Sequence, residues 1–65
     1  MKGTVKWYNV KKGFGFIIGD EDNKDYFVHY SQIPKGAILM ENEVVEFDIE
    51  ETDRGSQAIN VRKNE

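Results

Sequence analysis

No stretch of this chain sustains a helical period, and its most regular segment alternates. From Val44 to Glu51, the apolar Val45, Phe47 and Ile49 are interleaved with Glu46, Asp48 and Glu50. A period of two predicts a half-buried antiparallel strand with one face in water. Four further runs carry β-branched or aromatic residues between turn signals. They are Gly3–Asn9, Phe14–Ile18, Asp25–Tyr30 and Gln57–Arg62. Residues 9–13, 19–24 and 52–56 read as turns or loops, and one helical turn is expected near Ser31–Ile33. Leu39–Glu43 leads toward the fourth strand, with Asn42 a candidate for a left-handed turn position. Lys63, Asn64 and Glu65 are expected to fray.

Sixty-five residues without cysteine form one domain spanning 1–65, held by packing alone. A flat sheet of five short strands could not bury a core, so it must close on itself. The expected fold class is therefore all-β, a small, partly open, five-stranded antiparallel barrel with no substantial helix. The expected core is Val5, Ile17, Tyr26, Val28, Ile33, Val45, Phe47, Ile49 and Val61. No apolar run approaches a membrane span. The amino terminus enters a strand without a signal-peptide core, so a cytoplasmic location is expected.

The chain carries a net charge of −3, unevenly placed. Residues 1–19 hold Lys2, Lys6, Lys11 and Lys12 and no acid, whereas residues 41–53 hold seven acids and no base. A basic face toward phosphates and an acidic remainder that limits indiscriminate polyanion binding fit this split. Within Lys12-Gly13-Phe14-Gly15-Phe16-Ile17, the two phenylalanines share one side of a strand. If Ile17, Tyr26 and Val28 point inward, Phe14, Phe16, Phe27 and His29 point outward together. An imidazole is better placed at a wet surface than buried without a partner, which favours this solution. Lys6 and Lys12 border the rings. Trp7 has the parity of Val5, so only strand twist or a bulge can bring it to the same face.

These blocks resemble the cold-shock domain family. Lys6-Trp7-Tyr8-Asn9, Lys12–Ile17 and Tyr26-Phe27-Val28-His29-Tyr30 match in order, the latter two resembling the family's two ribonucleoprotein motifs. Residues 54–61 are similar to its closing segment, and the length is that of free-standing bacterial members. The resemblance implies a barrel of the OB type that binds single-stranded RNA and DNA, pyrimidine-rich strands being favoured. It also implies an RNA-chaperone role as a monomer without a cofactor. By position, Trp7, Phe14, Phe16, Phe27, His29 and Tyr30 would stack on bases, with Tyr8 beside them. Lys6, Lys12 and Arg54 would meet phosphates or base edges, and Asp25 would accept a hydrogen bond from a base.

The chain departs from the family pattern in places. Tyr8 and Tyr30 stand where phenylalanine is commoner, and Ser56 where proline is frequent. The loop after the second strand is about one residue longer and the Ser31–Met40 connection about two shorter. Ile38 is the nearest candidate for an aromatic that covers a further base in many members.

Three other readings compete. Lys12–Phe16 also opens the RNA-recognition-motif signature, but Gly19 takes the place of its last aromatic and two helices are missing. A barrel of the SH3 kind would explain exposed rings but not the lysines beside them. One histidine, no cysteine and no set of base and orienting group do not make an active site, so no enzyme and no metal centre are expected.

Overall fold

The computed structural model describes residues 1–63. Five strands follow in order: β1 (Lys2–Asn9), β2 (Phe14–Gly19), β3 (Asp25–His29), β4 (Val44–Thr52) and β5 (Gly55–Lys63). The helical turn is a single 3-10 turn over Tyr30–Gln32, so Tyr30 leaves the strand that the sequence assigned to it. The sheet closes fully in the order β1-β2-β3-β5-β4, rather than remaining partly open. Four neighbour pairs are antiparallel. The fifth, β3 with β5, is parallel and short, setting Phe27 opposite Gln57 and Val28 opposite Ala58.

The core comprises Val5, Ile17, Tyr26, Val28, Ile33, Leu39, Val45, Phe47, Ala58 and Val61. Leu39 and Ala58 were not expected there, and Ile49 was. Ile49 is 38% exposed because burial along β4 stops after Phe47 and the remaining residues of the strand run on as an open arm. Ala58 enters because β5 is bulged. Glu46 pairs with Arg62 and Asp48 with Ile59, so β5 spends one residue more than β4 over this interval. Asn60, with φ of 51°, sits in that bulge in the left-handed region, which asparagine tolerates better than most residues. Ala58 and Val61, three apart, thereby both face the interior. Asn42 adopts φ 70°, as its place in the turn suggested.

Lys63 does not fray. It pairs with Val45, and its Nζ donates to the Ile38 carbonyl and to Glu43 Oε2, both at 2.7 Å. Asn64 and Glu65, the rest of the expected frayed end, lie outside the described residues.

Lys63 and the backbone N–H of Met40 hold the Glu43 carboxyl below the usual carboxylate range. The Tyr26 hydroxyl does the same for Asp22, and the Tyr26 phenol is in turn pushed up to about 12 by that bond. Depressed carboxyls stabilise the fold above the unfolded carboxylate pKa of about 4 and lose that contribution as pH falls through their folded values. The raised phenol acts in the opposite direction: its contribution is complete below about pH 10 and fades as pH rises toward about 12. Urea denaturation against pH should therefore show stability dropping below about pH 4, with a shallower drop in Glu43→Gln.

Candidate nucleic-acid interface

The outer face of β1, β2 and β3 carries four rings in mutual contact. Trp7 meets Phe14 at 5.7 Å and Phe16 at 5.5 Å between ring centroids, while Phe27 meets the same two at 5.7 and 5.8 Å. The four contacts close a loop of rings. None of the four belongs to the core.

Trp7 reaches this face through a bulge in β1. Val5 pairs with Ile17, but Trp7 pairs with Phe16, so Lys6 is the extra residue. A β-bulge reverses the side to which the following residues point. Val5 and Ile17 stay in the interior while Trp7 and Phe16 face out, which resolves the parity conflict of the first strand.

The expected exposure of the phenylalanines needs one correction. Phe14, Phe16 and Phe27 are half-buried because they lean on neighbouring rings, whereas Trp7, at 37%, His29 and Tyr30 are exposed. The four rings thus cover part of one another and leave the remainder of each to solvent.

His29 stands opposite Phe14 across the β2–β3 ladder. Its Nδ1 accepts from the Ser31 backbone N–H at 3.3 Å and lies 2.9 Å from the Ser31 hydroxyl. With Nδ1 as acceptor, the neutral ring carries its proton on Nε2, where it can be donated outward. Tyr30, 58% exposed, packs edge-on to His29 at 4.3 Å and extends the array at that end.

Tyr8 is not part of this face. It follows Trp7 with opposite parity, packs against the core and lines a separate shallow groove with Tyr30, Ile33 and Pro34. That partial burial raises its phenol pKa. Its partner across the ladder is Gly15, where a side chain would have no room: a Cβ would lie 2.3 Å from the Trp7 carbonyl oxygen and 2.7 Å from Tyr8 Cα. Ile38 is exposed on the connection.

The charged candidates fall at the edges. Lys12 is exposed in the turn after β1, whose conformation is held by Asn9 Oδ1 accepting from the Lys12 N–H at 3.0 Å. Lys6 Nζ lies 3.4 Å from Asp25 Oδ2, both side chains about half exposed. Such a pair contributes little to stability and is readily exchanged for another partner. Arg54, in the β4–β5 turn, lines a cleft with Phe16, Asp25 and Phe27. Ser56 and Gln57 line it too. Sequence reasoning missed both as site residues, because only the parallel β3–β5 pairing carries them to the rings.

Part of the acidic stretch comes up to this cleft, where Glu50 accepts from Gln57 and Glu51 from Ser56. β4 sits between β5 and β1, away from β2, and part of its charge is paired: Asp48 with Arg62 at 3.8 Å, while Glu46 stands opposite both Lys2 and Arg62.

Residues 1–64 match the model of the 'cold-shock' DNA-binding domain. The cold shock-like protein CspG of Escherichia coli (strain K12) is 51% identical over 63 residues, covering 94% of this chain and 90% of that protein. The major cold shock protein of Streptococcus pyogenes serotype M18 is 48% identical over 64 residues, covering 95% and 94%. Among solved structures, drosophila Unr CSD456 superposes with a TM-score of 0.78 at 26% identity over 98% of this chain. This chain spans 26% of the length of that structure. With the barrel, the outward rings and these relatives in agreement over nearly its whole length, the chain belongs to the cold-shock domain family, whose members bind nucleic acid.

Proposed function

We propose that this protein binds single-stranded RNA and DNA by stacking bases on the face formed by Trp7, Phe14, Phe16 and Phe27, with His29 and Tyr30 continuing the track. The observation that carries this reading is the closed loop of four outward rings, flanked by exposed lysines. A patch of this kind is left in water for a partner. A planar partner with a negative backbone satisfies both the rings and the charges. Lys6, Lys12 and Arg54 meet phosphates or base edges, and Asp25 accepts from a base. Tyr8 supports Trp7 from the other side of the strand. Stacking is tolerant of sequence, so pyrimidine-rich strands are preferred only modestly. Covering unpaired bases keeps an RNA from folding on itself, which is the action of an RNA chaperone. A monomer in the cytoplasm suffices for this, with no cofactor and no catalytic step.

Trp7 is the only tryptophan, so its fluorescence reports the interface directly. Titration with oligo-dT should quench it, and affinity should fall with salt. A peptide-binding barrel would show neither effect. Lys12→Gln should weaken binding to all sequences alike and flatten the slope of log K against log salt by about 0.7 if it meets one phosphate. An unchanged slope would remove Lys12 from the phosphate track.

A further inference from the structure

Between β3 and β4, residues 33–43 form no strand or helix, yet the backbone there is held on both sides of one residue. Leu39 is buried in the core. The carbonyl before it, of Ile38, accepts from Lys63 Nζ at 2.7 Å, and the N–H after it, of Met40, donates to Glu43 Oε1 at 3.0 Å. Glu43 Oε2 in turn accepts from Lys63 Nζ at 2.7 Å, which joins the two holds into one clamp. Of the three ion pairs among the described residues, this one is the shortest and the least exposed. The clamp is also fastened to β1. The Asn42 N–H donates to the Val5 carbonyl and the Val5 N–H to the Glu43 carbonyl, both at 2.8 Å, just ahead of the bulge that turns Trp7 outward. A segment without a ladder has few other means of keeping one conformation.

The other half of the same connection borders the interface. Pro34, Lys35, Gly36 and Ala37 line a groove of about 400 Å³ together with Tyr8 and Tyr30. Tyr30 is the last ring of the track and Lys35 is exposed, so a strand continuing past Tyr30 meets a cation on the connection. We propose that Glu43 and Lys63 are positioning residues of the interface. Their pair holds the connection in the conformation that receives the nucleotides beyond Tyr30, and thereby sets how long a strand the protein covers. Neither side chain needs to touch the strand. The proposal rests on the base-stacking reading above and adds a determinant of strand length that lies outside the ring face.

The test compares heptathymidylate with tetrathymidylate by Trp7 fluorescence in the parent, Lys63→Met, Glu43→Ala and Lys63→Arg, with affinity taken per folded molecule. Lys63→Met and Glu43→Ala change the net charge in opposite directions, so they should move overall affinity in opposite directions. Both should nevertheless lower the affinity ratio of the longer strand to the shorter by about fivefold, as expected for the loss of one base contact. Lys63→Arg keeps a cation with donors and should keep most of the ratio. Hydrogen exchange reads the clamp without any ligand. Relative to the amides of β2 and β3, the Met40 amide should exchange about tenfold faster in Glu43→Ala, the worth of one hydrogen bond to a charged group. A pair that served stability alone would lower the folded fraction and leave the length ratio where it is, and that result overturns the proposal. Unchanged Met40 exchange overturns it as well, as does a parent that binds the two lengths equally. If no oligonucleotide quenches Trp7, it is the stacking reading that has failed, and this proposal falls with it.

Discussion

Alanine at both Phe14 and Phe27 should lower single-strand affinity by about 3 kcal/mol, roughly a hundredfold, while leaving a folded barrel. Each ring offers a face for a base, and a lost stack costs about 1–3 kcal/mol. The two rings stack on each other, 5.7 Å apart and inclined by 29°, so their effects are coupled rather than independent. Neither is in the core. Because both are half-buried against neighbouring rings, the variant should also melt somewhat lower than the parent. The reading is therefore affinity per folded molecule, from Trp7 fluorescence with the folded fraction set by circular dichroism. Unchanged affinity per folded molecule would mean that bases lie elsewhere.

Phe47→Ala should act in the opposite way, removing stability before any effect on binding can be read. Phe47 is fully buried, packs on Tyr26 at 5.3 Å between centroids, and its backbone exchanges hydrogen bonds with Met1, both at 2.8 Å. Truncating a buried phenylalanine costs about 3–5 kcal/mol. A single core in a domain this small rarely supplies more than about 3–5 kcal/mol in total. Urea denaturation should accordingly find the variant largely unfolded in water. Ile49→Ala, two residues along the same strand, should cost less than about 1 kcal/mol, since its side chain already reaches solvent. Equal losses at the two positions would refute the placement of the core.

The contrast between Phe47 and Ile49 marks the limit of what was legible in the sequence. Alternation placed both on one side of β4, but nothing in the local pattern says where the barrel ends and the open arm begins. Leu39 was missed for a related reason: it lies in the connection between β3 and β4, which has no period to read. The outward turn of Phe14, Phe16 and Phe27 was legible, because parity against Ile17, Tyr26 and Val28 is a property of consecutive residues. Their half-burial was not, because it depends on rings from three strands meeting.

By itself the sequence determined that the chain is all-β, where its five strands lie, which residues of β2 and β3 point outward, and that the basic and acidic residues are separated. These follow from the geometry of an extended backbone, in which each side chain's direction is set by its neighbours along the chain. Tertiary structure alone decided the bulge at Lys6 that turns Trp7 outward, the bulge at Asn60 that brings Ala58 inward, and the parallel pairing that sets Gln57 beside Phe27. The physical reason is that register between strands is a relation between distant segments, settled by closing the barrel over one core, and no local pattern encodes it.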